Sequence, residues 1–92
     1  MGLNFEWDDN KAKSNFKKHG ITFEEASTAF GDTLSLTIAD PLHSEDEERL
    51  ILIGRSALSK TLVVVHAERT DSIRIIGARK ATKKEKKIYE ES

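Results

Sequence analysis

Arg69, Arg74 and Arg79 recur along one stretch of sequence, and Lys80, Lys83, Lys84, Lys86 and Lys87 follow closely. Guanidinium groups fork onto phosphate oxygens and ammonium groups add point charge, so such a cluster suits phosphates. His66 and Glu68 stand just ahead of it. These are residue types that accept or donate protons in acid–base catalysis. The plainer alternative is a solvated surface on which Glu68, Asp71 or Glu85 pairs with the cations. A lone strand histidine is also more often a satisfied structural residue than a catalyst.

Other chemistries find little footing. The chain has no cysteine, which removes disulfides and thiolate metal or redox sites. His19 falls at a helix end, where capping explains it, and His43 falls in an acidic loop without ligand spacing. That loop, Glu45–Glu48, lacks the glycine and alternating Asp/Asn of a calcium loop. Serine-nucleophile motifs and glycine-rich phosphate loops are absent. These residues offer no metal-ligand spacing.

The charge is divided along the chain. The net charge is −1, yet residues 1–48 sum to −7 and residues 49–92 to +6. Such asymmetry keeps a nucleic-acid partner open despite the near-neutral total. With 37% hydrophobic and 34% charged residues, the 92-residue chain is polar but carries real apolar runs. One domain, residues 1–92, is expected, resting on its core without staples. No run is long enough for a membrane span, and the N-terminus lacks the pattern of a signal peptide. The expected compartment is the cytoplasm.

The elements that must position these residues follow from periodicity. Leu3, Phe5 and Trp7 alternate with polar residues, which predicts a short strand with Trp7 in the core. Asp8, Asp9 and Asn10 offer caps for a helix over Lys11–His19, which Gly20 ends. Its thin apolar face, Ala12 and Phe16, predicts a surface helix. Thr22 and Glu25 form a T-x-x-E capping box before a helix over Phe23–Phe30. Four strand signals follow: Leu34–Ile38, Leu50–Ile53, Leu62–Val65 and Ile73–Ala78. Their short turns predict an antiparallel meander, with Leu62–Val65 covered on both faces. Thr82 and Glu85 cap a last helix that has only Ile88 and Tyr89 as large apolar residues. Two such residues predict a helix that is solvated, mobile or completed by a partner. The class is α+β, in the order β-α-α-β-β-β-β-α.

An ordered series of short motifs resembles the BrnT toxin family. It comprises Phe5-Glu6-Trp7-Asp8, Asn10-Lys11, Lys18-His19-Gly20-Ile21 and Phe23-Glu24-Glu25-Ala26. It continues with Glu48-Arg49, Ile53-Gly54, Leu62–Val65, Glu68-Arg69, Ile73–Ala81, Glu85 and Tyr89. Two departures stand out: Gly77 where the family often has Ser, and Asp32-Thr33 where it often has Asp-Pro. The resemblance implies a RelE-like fold, a small antiparallel sheet with two N-terminal helices on one side and a C-terminal helix. It implies the toxin of a bacterial type II toxin–antitoxin pair, a ribonuclease neutralised by a BrnA-type antitoxin. Operator DNA would be met only through that antitoxin, and the resemblance implies no metal or organic cofactor.

For such an enzyme the substrate's own 2′-hydroxyl is the nucleophile, and the protein aligns it and stabilises charge. Arg74 and Arg79 are assigned to the scissile phosphate and Lys80 to a neighbouring one. Lys83, Lys84, Arg69, Lys18 and His19 are further RNA-binding candidates. The general base is left between His66 and Glu68, which share a face only if their strand is regular. Two other readings use the same residues: a non-catalytic nucleic-acid-binding module, and a protein-interaction domain with solvated lysines.

Overall fold

The computed structural model describes residues 3–40 and 49–92. The acidic loop at Glu45–Glu48 and His43 fall outside the described residues. The elements are β1 (Phe5–Glu6), α1 (Asp9–His19), α2 (Phe23–Thr28), β2 (Leu36–Ala39), β3 (Arg49–Arg55), β4 (Thr61–Glu68), β5 (Ile73–Lys80) and α3 (Lys83–Glu91). A 3-10 turn, Ala29–Gly31, extends α2. The expected order therefore holds, with β2 beginning two residues later than the alternation suggested.

Local chemistry sets the helix ends. The Asp8 carboxylate accepts the Asn10 and Lys11 N–H groups at 2.8 and 3.1 Å, filling orphan donors of α1. Gly20 stops α1 at φ 72°, a left-handed position that costs glycine little. Thr22 accepts the Glu25 N–H at 3.0 Å. At Thr82 both halves of the capping box form, at 2.8 and 3.2 Å.

The strands lie in the order β1-β5-β4-β3-β2. β2 to β5 form the expected antiparallel meander, but β1 pairs parallel with β5, so the sheet is mixed. Short turns dictate antiparallel neighbours only where strands follow one another. β1 and β5 are separated by two helices and three strands, so no tight turn fixes their direction.

One face of the sheet carries the main core. Ile21, Phe23, Ala26 and Ala29 pack on Leu52, Leu62, Val64, Ile75 and Ala78. Each large side chain buried there contributes about 1.5–3 kcal/mol. Trp7 packs edge-on to Phe23 with centroids 5.9 Å apart and is half-buried. α1 contributes no fully buried residue, and Phe16 is 53% exposed, as its thin face implied. Asn15 still fixes α1 to the sheet, donating to Ile21 and Ala78 carbonyls and accepting the Ala78 N–H.

The second face is covered in part by α3, against the expectation of a loose helix. Tyr89 is buried with Ile53 and Val63. Its hydroxyl donates to Asp32 at 2.5 Å, and the same carboxylate oxygen accepts the Arg55 N–H at 2.9 Å. A helix with two large apolar residues docks because one of them carries a polar tip with a partner. Ile88 remains 48% exposed.

Candidate functional site

Residues opposite one another in paired strands share a face. On β4 this puts Leu62, Val64 and His66 on the core face and Val63, Val65 and Ala67 on the other. β5 does not alternate so simply. Val65 faces Gly77 but His66 faces Ile75, so Ile76 is an extra residue, a β-bulge. Because of it, Ile75 and Ala78 both reach the core, although three residues apart. For the same reason Arg74 and Arg79, five apart, share the opposite face. In a regular strand that odd spacing would separate them.

On that face three rows run across the sheet as far as β5. Leu36, Ile53, Val63 and Arg79 form one, next to α3. Ile38, Ile51, Val65 and Gly77 form the next, which is only half covered. Arg49, Ala67, Arg74 and Glu6 form the third. An apolar strip therefore lies between rows that carry arginines.

Arg79 is held in place. Its guanidinium donates to both carboxylate oxygens of Glu85, at 2.7 and 2.8 Å. The pair raises the Arg79 pKa and, with the Thr82 N–H bond adding to it, pulls Glu85 down to about 2. Arg74 is half-buried and sits opposite Glu6. Arg69 lies just past the end of β4. Together Arg69, Arg74, Glu6, Trp7 and Asp8 line an open cavity of about 370 Å³.

The other candidates separate. His66 is 1% exposed, on the core face, edge-on to Phe30 at 4.8 Å. Its Nδ1 lies 3.2 Å from the Val64 carbonyl. Burial lowers its pKa, which the Val64 carbonyl and the Glu68 charge only partly oppose. It is a neutral ring in the core, across the sheet from Arg74 and Arg79. Glu68 is exposed and lines a second cavity of about 300 Å³ with Arg69 and Asp71. Lys80 is exposed at the end of β5, opposite Leu62, on the side away from Arg79. Lys83 and Lys84 are exposed in the first turn of α3. Lys18 and His19 join Lys11 and Ile76 around a third cavity of about 360 Å³. The cations are thus strung along β5 rather than gathered at one point.

Two features escape a sequence reading. Glu6 enters the row of Arg74 only through the parallel pairing of β1. Asp32 enters through Tyr89, a contact 57 residues apart. No residue spacing signals either. Among the described residues there is no group of three or more His, Cys, Asp or Glu that could hold a metal ion. No helix among them is long and apolar enough to cross a membrane.

The fold has a known counterpart. The crystal structure of the Brucella abortus ribonuclease toxin BrnT is similar, with a TM-score of 0.64 at 20% identity, covering 89% of this chain and 100% of that one. No curated protein matches. A model of the family described as the ribonuclease toxin, BrnT, of type II toxin–antitoxin systems matches residues 7–85. With that span covering most of the sequence, the chain belongs to the BrnT toxin family.

Proposed function

We propose that the chain is a metal-independent endoribonuclease of the cytoplasm, which arrests growth by cleaving RNA and is neutralised by a BrnA-type antitoxin. The observation that carries this reading is the shared face of Arg74 and Arg79, produced by the bulge at Ile76. Two guanidiniums about four strand steps apart, or about 13 Å, make two fixed points for one RNA strand. Arg74 meets the scissile phosphate and Arg79 a second phosphate of the same strand. Lys83 and Lys84 extend the field beyond Arg79, Lys80 adds charge from the other side of the sheet, and Lys18 and His19 add it at the bulge. The chemistry is attack by the substrate's 2′-hydroxyl, with the arginines stabilising the charged phosphorane.

The experiment is incubation of the purified protein with bulk RNA, in EDTA and in Mg²⁺. Equal fragmentation in both supports the reading. Binding without fragments leaves a nucleic-acid-binding module, and fragmentation restored only by Mg²⁺ makes it a metal nuclease. Induced expression alone and together with any adjacent small reading frame tests the antitoxin.

A further inference from the structure

Resting on the ribonuclease reading, the geometry points to Glu6 as the general base that takes the proton of the attacking 2′-hydroxyl. Glu6 is the register partner of Arg74 across the parallel β1–β5 pair. Neighbouring strands lie about 4.8 Å apart, so the two side chains leave the sheet side by side on one face. Both line the cavity of about 370 Å³ that Arg69, Trp7 and Asp8 complete. A phosphate on Arg74 therefore brings the adjacent ribose to the Glu6 carboxylate. Trp7, the next residue, also lines that cavity while its ring packs edge-on against Phe23.

The other acidic groups near arginines are engaged elsewhere or lie off this row. Glu85 spends both oxygens on Arg79 and one of them also on the Thr82 N–H. Asp8 caps α1 through the Asn10 and Lys11 N–H groups. Glu68 stands one residue beyond Ala67 on β4, out of the row that holds Arg74. Glu6 is exposed, so its carboxylate is reachable by substrate.

In the step, the 2′ O–H bond breaks and its proton passes to Glu6. The 2′ oxygen bonds to phosphorus as the bond to the 5′ oxygen breaks. The departing oxygen takes a proton from water, leaving a 2′,3′-cyclic phosphate and a 5′-hydroxyl, and Glu6 returns its proton to solvent.

The test uses the full chain, a single-stranded RNA oligomer and the same oligomer with 2′-O-methyl groups. Glu6→Gln is expected to cut cleavage about 10²–10⁴-fold. Binding of the 2′-O-methyl oligomer and the melting temperature should stay at wild-type values. Glu6→Asp should recover part of the rate, and the acid limb of the pH–rate profile should vanish in Glu6→Gln. A Glu6→Gln protein that cleaves within about threefold of wild type, or that loses 2′-O-methyl binding in step with cleavage, overturns the assignment. If the wild type itself leaves RNA intact, the ribonuclease reading falls and takes this one with it.

Discussion

Arg79 grips Glu85 through two parallel hydrogen bonds, and that one contact joins the last strand to the last helix. The depressed Glu85 pKa makes it a pH-dependent clamp. A carboxylate at about 2 when folded and 4.5 when unfolded contributes stability that is complete above pH 4.5. That contribution is lost as pH falls through about 2. The Arg79 side chain is 41% exposed, so solvent screening limits the effect to about 1 kcal/mol. Denaturant melts of wild type and Glu85→Gln should differ at pH 6 and converge toward pH 2.

Arg79→Ala should abolish RNA cleavage and growth arrest, and it should also cost stability. Removing the fork frees Glu85 and loosens α3, a loss of about 1 kcal/mol that lowers the melting temperature by about 4–8 °C. Arg74→Ala should abolish cleavage without that cost, since it leaves the Arg79–Glu85 pair untouched. Melting curves beside cleavage assays separate the two.

Tyr89→Phe should lose about 1–2 kcal/mol. The substitution keeps the ring among Ile53 and Val63 but removes a donor to an ionised carboxylate. That hydrogen bond both lowers the Asp32 pKa and raises that of Tyr89. Faster amide exchange confined to α3 would mark the loss as undocking of the helix.

Two glycines should respond oppositely. A Cβ at Gly54 would sit 3.0 Å from the Ala29 carbonyl oxygen, the Leu52 side chain and the Ser35 Cβ. The backbone oxygen cannot swing aside, so Gly54→Ala should cost about 1–3 kcal/mol. At Gly77 a Cβ would meet only the Asn15 Oδ1, at 3.7 Å. Gly77→Ser, which restores the residue common in the resembling family, should stay within about 0.5 kcal/mol of wild type. Thermal melts of both variants decide it.

Much of the fold was legible because its signals are local. The Asp8 and Thr82 caps, the Gly20 stop and the alternation of apolar residues each act within a few positions. What escaped was non-local. Alternation alone puts Arg74 and Arg79 on opposite faces, and only pairing with β4 reveals the extra residue at Ile76. His66 was legible as a neighbour of Leu62 and Val64, and that same alternation buries it against Phe30. The docking of α3 depended on Asp32, far away in sequence.

The parallel pairing of β1 with β5 also sets a timetable. A chain made from its N-terminus has Glu6 in hand long before Arg74 exists, yet the two stand side by side only across that pair. β1 must wait, without a strand to join, until β5 has been made. A product that stalls before β5 holds Glu6 and Trp7 but neither Arg74 nor Arg79. Only the finished protein brings the row together.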